Sequence, residues 1–333
     1  MREPAFWRID EGRGSGGLAR ALLSPLSWIY SWAGARRIAK TTPLDLKIPV
    51  ICVGNLTLGG TGKTPITQAI LARMKDMGIA AHALSRGYGG KLKGPVQVAP
   101  ETHTSVDVGD EPLLLARSAP VWISRDRPAG ALEAVKAGAQ AIVMDDGHQN
   151  PSLKKHLSII VIDGQAGWGA NRVFPAGPLR EPVARGLARA DAVIVMTQGE
   201  DDMPDYQGLG LADLEILILH AWLAPTTKAP TEPLIAFAGI GRPQKVFDSL
   251  TKAGAQLVET AQFADHHPYN AGDIRHLRAL AKAHEAKLIT TEKDWVRLPI
   301  DMQDEVRVWP ITAEFAMPAA LDVLLHDVME AVS

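Results

Sequence analysis

From residue 48 onward, short apolar runs alternate with stretches of helical spacing. Residues 48–53 are β-rich and lead into a glycine-rich loop, and residues 63–77 have helical periodicity closed by Gly78. Residues 79–84 read as a second strand. Val121–Ile123 reads as a strand between helices at 111–117 and 127–137. Residues 141–144, 157–162 and 192–196 are further apolar runs, each followed by polar residues or glycine. Strands spaced by helices predict parallel βαβ units, and so an α/β fold with helices on both faces of a mostly parallel sheet. The apolar stretch 211–223, ahead of Pro225 and Pro230, reads as a hairpin or a linker. After about residue 229 the alternation restarts. A strand at Leu234–Ala238, a helix at 244–253, a strand at 256–259, a helix at Ala271–Ala283 and a strand at Lys287–Thr291 are expected. This divides the chain into a larger unit over 41–228 and a smaller α/β unit over 229–333.

Residues 1–40 differ from the rest. They hold seven basic residues (Arg2, Arg8, Arg13, Arg20, Arg36, Arg37, Lys40) against Glu3, Asp10 and Glu11, and three of the eight tryptophans, Trp7, Trp28 and Trp32. The longest charge-free run, residues 21–35, is too short to span a bilayer, which takes about 20 apolar residues. It also contains Pro25 and three serines. Small residues at Ala33-Gly34-Ala35 resemble a signal-peptide cleavage site, but the run is serine-rich and ends in Arg36-Arg37. Leu18, Leu22, Leu26 and Ile29 recur at helical spacing with arginines at both ends. That pattern suits a helix lying in a membrane interface, or one docked on the protein's own core.

Composition narrows the class. At 333 residues, with 46% hydrophobic and 22% charged, the chain can bury a sizeable core and is neither disordered nor fibrous. One cysteine, Cys52, forms no internal bridge. A net charge of −2 gives no global reason to bind nucleic acid.

The strongest chemical signal is Thr57-Leu58-Gly59-Gly60-Thr61-Gly62-Lys63-Thr64, between a strand and a helix. In such a P-loop, backbone N–H groups turn inward around phosphate oxygens and the helix N-terminus adds positive potential. Lys63 can reach the β- and γ-phosphates, and Thr64 can ligate Mg²⁺. Thr57 stands where the general P-loop pattern has its first glycine. A carboxylate near Mg²⁺ is also needed. The run ending in Asp145-Asp146-Gly147-His148-Gln149 places at least one aspartate at the carboxyl edge of the sheet, although an ordinary acidic turn has the same appearance. Asp110, in Gly109-Asp110-Glu111-Pro112, reads from spacing alone as a helix cap. Guanine-reading motifs are absent: in Thr291-Glu292-Lys293-Asp294 the lysine falls one place late. Adenine is therefore expected. On these residues a kinase for a soluble metabolite and an ATP-switched binding protein both stay open.

These motifs, with Ser85-Arg86-Gly87-Tyr88, Val161-Ile162-Asp163-Gly164, Pro175-Ala176-Gly177-Pro178-Leu179-Arg180-Glu181 and Ala264-Asp265-His266-His267, resemble the tetraacyldisaccharide 4′-kinase family in order and over nearly the full length. A small hydroxyl residue at position 57 is expected in that family. Asn150 departs from the histidine often found there. The resemblance implies transfer of the γ-phosphoryl group of ATP, with Mg²⁺, to the 4′-hydroxyl of a tetraacylated glucosamine disaccharide 1-phosphate, giving lipid IVA. It implies that Thr57, Gly59, Gly60, Thr61, Gly62, Lys63 and Thr64 hold the nucleotide. Thr64, Asp145 and Glu181 would serve the metal, with Lys63 and Asp146 beside the reacting phosphate. Asp110 would be the catalytic base, paired with His266 from the smaller unit across a closing cleft. Arg86, Tyr88, Arg125, Arg180 and Gln149 become substrate-binding candidates. A lipid acceptor favours the interfacial reading of residues 1–40, at the cytoplasmic face of the inner membrane, with no obligate protein partner implied.

Overall fold

A computed structural model describes residues 4–8 and 16–332. Of the charges counted above, Arg2, Glu3, Asp10, Glu11 and Arg13 lie outside these residues. Among the described residues, thirteen strands build two sheets. The larger contains β1 (Val50–Gly54), β2 (Ala81–Ser85), β3 (Val96–Gln97), β4 (Val121–Ile123), β5 (Ala141–Asp145), β6 (Leu157–Asp163), β7 (Ala192–Thr197) and β8 (Leu217–Pro225). The smaller contains β9 (Leu234–Ala238), β10 (Leu257–Gln262), β11 (Lys287–Thr291) and β12 (Val306–Trp309). The last strand, β13 (Ile311–Phe315), returns to the larger sheet, whose order is β13-β8-β7-β6-β1-β5-β2-β4-β3. Its seven inner strands are parallel, and β3 and β13 run antiparallel at the edges. The smaller sheet is parallel throughout, in the order β10-β9-β11-β12.

Every residue of β1 is buried, as expected of a central parallel strand covered on both faces. Ile51 and Val53 face the core shared with helix Lys63–Asp76, whereas Val50 and Cys52 face Ala131 and Ala134 of helix Arg127–Lys136. The α/β class with helices on both faces is thus as the alternation implied.

Two expectations need correction. Residues 217–225 are neither hairpin nor linker but a parallel strand beside β7. The boundary of the smaller unit also fails at its C-terminal end. β13 pairs with β8, and helix Pro318–Glu330 places Leu321, Leu325 and Val328 in the core of the larger unit. Arg73 of helix Lys63–Asp76 pairs with Asp322 and lies over the Phe315 ring. The smaller unit is therefore an insertion, joined to the larger one by two crossings, near residues 226–233 and at Pro310.

The N-terminal segment forms helix Gly17–Lys40, and no helix among the described residues is long and apolar enough to cross a membrane. It docks through polar atoms and through Tyr30, whose ring meets that of Phe174 edge-on at 5.4 Å. Ser27 donates to Val173 O (2.8 Å) and accepts from Ala176 N (3.1 Å), Arg20 reaches Phe6 O, and Arg37 donates to Gln149 O (3.1 Å). Trp7 Nε1 adds a bond to Pro175 O.

One contact at the end of β1 fixes its sequence. A Cβ on Gly54 would lie 2.5 Å from the Cβ of His148, so the strand and the residues after β5 approach each other only with glycine there. Gly54→Ala should lower stability by about 2 kcal/mol, as overpacking of a tight core does, which thermal unfolding would report.

Candidate active site

The carboxyl ends of β1, β5, β6 and β7 lie side by side, which is where open α/β sheets place their ligands. The loop after β1 is pinned on the segment before Glu181. Leu58 N donates to Pro178 O and Arg180 N to Leu56 O, both at 2.7 Å, and Thr57 bridges to Leu179. Asn55 Nδ2 donates to Thr61 Oγ1 at 3.2 Å across the loop. Gly59 and Gly60 are exposed at its crest. Gly62, at φ 90°, turns the chain into helix Lys63–Asp76. These contacts prepare a phosphate cradle before any phosphate arrives, with Lys63 and Thr64 in its first helical turn.

Lys63 Nζ lies 3.7 Å from Asp146 Oδ1, and Arg180 Nη1 lies 2.9 Å from both Asp146 oxygens. Burial raises the Asp146 carboxyl, but the charges of Lys63 and Arg180 outweigh it and hold the group below its ordinary range. Asp145 behaves oppositely. It is fully buried, and desolvation together with the charges of Glu111 and Asp146 pushes its carboxyl up. Lys63 and Arg127 pull against that rise, and Thr67 Oγ1 donates to Oδ1 at 3.3 Å. The negative charge of Asp145, which protein cations leave only partly matched, suits a hard cation, for which Thr64 and Asp145 offer oxygen donors of the kind it prefers.

Asp110 begins helix Asp110–Leu115 but does not cap it. The cap position is Gly109 at φ 90°, where a Cβ would lie 2.4 Å from Tyr88 O. The Asp110 side chain instead crosses to the smaller unit. Oδ2 sits 3.0 Å from His266 Nδ1 and 3.0 Å from Arg297 Nε, and Arg297 Nη2 reaches it as well. Lys293 Nζ is 4.0 Å away and pairs with Glu111 at 3.2 Å. Burial raises the Asp110 carboxyl, but the His266 hydrogen bond and the charges of Lys293 and Arg297 overcome it, leaving it well below the usual carboxylate range. His266 sits at φ 58°, in the left-handed region uncommon for a residue with a side chain. The sequence-based pairing of Asp110 with His266 is therefore present as a direct contact.

Other expected residues are placed differently. Glu181 accepts from Arg189 Nη2 on both oxygens, at 2.8 and 2.9 Å, and from Gln149 Nε2 at 3.1 Å. Its charge is already matched, so it does not fit the metal role expected of it. Gln149 spends its amide on Glu181 and on Asn55 O (2.9 Å), which makes it a brace for the loop rather than an open substrate group. Arg180, also expected to bind substrate, braces the loop through Thr57 O and Asp146. Arg86, Tyr88 and Arg125 are exposed, and Arg125 lines a groove of about 280 Å³ with Arg37, Arg127 and Asn150. Lys293 and Arg297 carried no expectation beyond the Thr291–Asp294 motif, because nothing in their spacing points across to Asp110.

Comparison with known proteins identifies the family. The sequence model of the tetraacyldisaccharide-1-P 4′-kinase family matches residues 19–330. The chain belongs to that family. It is 60% identical to the tetraacyldisaccharide 4′-kinase of Maricaulis maris over 99% of this chain and 97% of that one. It is 51% identical to that of Hyphomonas neptunium over 99% and 98%. The crystal structure of LpxK from Aquifex aeolicus in complex with ATP superposes with a TM-score of 0.73 at 25% identity, covering 93% of this chain and 99% of that one. The chain is therefore a kinase.

His148, at the base of the site, gives a pH signature. It is buried between Ser158 Oγ (2.9 Å) and Gly186 O (3.1 Å), and burial moves its pKa from 6.5 down to about 4. Between those values the unfolded chain binds a proton that the folded chain does not, so stability is lost as pH falls through that window. His148→Gln should flatten that part of the profile, by about 3 kcal/mol at most, in denaturant titrations at pH 7 and pH 4.5.

Proposed function

We propose that the chain transfers the γ-phosphoryl group of ATP to the 4′-hydroxyl of a tetraacylated glucosamine disaccharide 1-phosphate, yielding lipid IVA, at the cytoplasmic face of the bacterial inner membrane. The observation that carries the site assignment is the 3.0 Å contact between Asp110 and His266. It joins the two units where Glu111 lies near enough to raise Asp145. A nucleotide-driven switch needs no such pair, whereas transfer to a sugar hydroxyl does, because that hydroxyl is a weak nucleophile whose proton must be accepted.

In this reading the loop from Thr57 to Thr64 holds the triphosphate, and Lys63 meets the transferring group. Thr64 and Asp145 would hold Mg²⁺, which when bound would supply charge neutralisation to the phosphates. Asp146 is kept ionised by Lys63 and Arg180 and orients both cations toward the phosphates. Arg86 and Tyr88 are exposed, and Arg125 with Arg37 and Arg127 forms a groove whose guanidinium groups match an anionic part of the acceptor.

The N-terminal helix supports the membrane part of the proposal. A helix docked on its own core buries its apolar stripe. Here the reverse holds: Leu18, Leu22, Trp28 and Ile29 are 62–78% exposed, and the docked side is Ser27 and Arg20. An acceptor with four acyl chains leaves a bilayer at a cost of about 0.8 kcal/mol per CH₂, so the kinase must come to the surface. A soluble small-metabolite kinase has no use for that outer face.

Two measurements test this. Incubation with labelled ATP and the tetraacyl disaccharide 1-phosphate should give a labelled lipid, and Lys63→Ala should slow that reaction by a factor of about 100 or more. Full-speed labelling by the variant would refute the reading. Replacing Leu22, Trp28 and Trp32 together by serine should release most of the protein from sedimenting anionic vesicles while leaving its thermal unfolding unchanged, and unaltered partitioning would count against interfacial anchoring.

A further inference from the structure

We propose that the turn after β2, residues 86–93, is a second lipid-contacting element. It meets anionic headgroups through Lys91 and Lys93 and, together with helix Gly17–Lys40, fixes how the cleft faces the bilayer. The proposal rests on the interfacial reading of that helix given above.

The sheet brings the two elements to one end of the molecule. The turn follows β2, Arg125 follows β4, Gln149 follows β5 and Val173 lies beyond β6. In the sheet these strands stand in the order β6-β1-β5-β2-β4 and all run parallel, so the segments after them emerge at the same carboxyl edge. The helix is seated on Val173 and Gln149, and its C-terminal end shares a groove with Arg125 through Arg37 and Thr41. Arg125 N in turn donates to Lys93 O at 2.8 Å. Exposed basic groups therefore run from Arg37 and Lys40 through Arg125 to Lys93 and Lys91.

The turn is built to hold its lysines outward. Lys91 N donates to Val106 O (3.0 Å) and Leu92 N to Asp107 O (2.9 Å), which fastens the backbone on the side away from Arg125. Leu92 packs against the core of the larger unit, and the lysines on either side of it are exposed. The carboxylates close by are already committed. Asp107 accepts from Thr104 N (2.9 Å) and Thr104 Oγ1 (2.6 Å), and Asp126 caps its helix by accepting from Ala129 N at 3.2 Å. Two apolar groups stand beside the lysines, Tyr88 at 75% and Val106 at 50% exposure. Cations around an exposed aromatic ring and an aliphatic side chain suit an anionic bilayer surface, where charge meets headgroups and the apolar groups enter the acyl boundary. A helix that enters lipid by one face leaves the body free to rotate about the helix axis, and a contact beyond Arg125 removes that freedom. It also turns Tyr88, whose carbonyl lies over Gly109 next to Asp110, toward the leaflet that supplies the acceptor.

The test uses the full chain and vesicles of phosphatidylcholine with about a quarter phosphatidylglycerol, free of acceptor lipid. Lys91→Gln with Lys93→Gln should lower the partition coefficient about tenfold at low salt, and high salt or vesicles of phosphatidylcholine alone should shrink the difference below about twofold. Lys91→Arg with Lys93→Arg should bind as the parent does. With the acceptor dispersed in neutral detergent, kcat of the glutamine variant should stay within about twofold, because neither lysine belongs to the phosphate loop or to the Asp110–His266 contact. Unchanged partitioning on the anionic vesicles overturns the proposal, and so does a loss equally large on the neutral ones. Should the glutamine variant fail to fold, Val106→Cys carries the test, because Cys52, the only native cysteine, is buried and an environment-sensitive dye attaches at position 106 alone. A blue shift of the dye on adding anionic vesicles supports the contact, and an unshifted emission overturns it. Should the variant with serine at Leu22, Trp28 and Trp32 stay bound, the anchoring reading of the helix itself falls. Should it be released while the glutamine variant binds as the parent does, only the second contact falls.

Discussion

The structure depends on one carboxylate shared between two folding units. Asp110 belongs to the larger unit, yet the groups that hold its charge in place, His266, Arg297 and Lys293, all come from the smaller one. A buried charge is tolerated only when it is paired and hydrogen-bonded, so removal of any one partner leaves a costly remainder. The consequence reaches beyond stability. The phosphate cradle is complete within the larger unit, where Leu56, Thr57 and Leu58 are tied to Pro178, Leu179 and Arg180. The Asp110–His266 contact forms only when the smaller unit is docked. A second ion pair, Asp163 with Arg242 at 2.7 Å, joins the units at the end of β6. Ion pairs thus bridge the units at both places, Asp110 with Arg297 and Glu111 with Lys293 at one, Asp163 with Arg242 at the other.

The two aspartates after β5 divide their work by environment. They are adjacent in sequence, but Asp145 ends a strand inside the core, whereas Asp146 sits at φ 53° and turns toward Lys63 and Arg180. Neighbouring positions on an extended strand point to opposite faces, and the left-handed residue breaks that alternation. One carboxyl is pushed up by burial and the other held down by cations. This is the pattern expected where a metal and a transferring phosphate are to be met by different groups.

Much of this was legible in the sequence, and the limits have physical causes. The strands of the parallel sheet announced themselves because both of their faces are buried, which leaves uninterrupted apolar runs such as 141–144 and 157–162. The P-loop was legible because its chemistry is local, confined to eight consecutive residues. The last strand and helix were missed because their pairing is with β8 and helix Lys63–Asp76, elements far away along the chain. For the same reason spacing alone suggested a cap at Asp110, while the side chain reaches across 156 positions to His266. Glu181 and Gln149 were read as a metal ligand and a substrate contact because both sit in motifs of the site. Only coordinates reveal Arg189, eight residues on, already holding that carboxylate.

The N-terminal helix is bound to the chemistry by the same logic of polar docking. Its inner side is held by the hydroxyl of Ser27 and by the guanidinium of Arg37, which donates to Gln149 O. The Gln149 amide donates to Asn55 O, at the start of the phosphate loop. A path of three residues therefore runs from the helix to the loop, through hydrogen bonds whose geometry tolerates little displacement. An apolar face free of internal duties can enter a lipid surface without disturbing that path. If the helix were docked by its leucines, the interface that positions the loop and the interface that meets the bilayer would compete for the same side chains. Separating them keeps the distance from the helix to the P-loop fixed whatever the outer face meets.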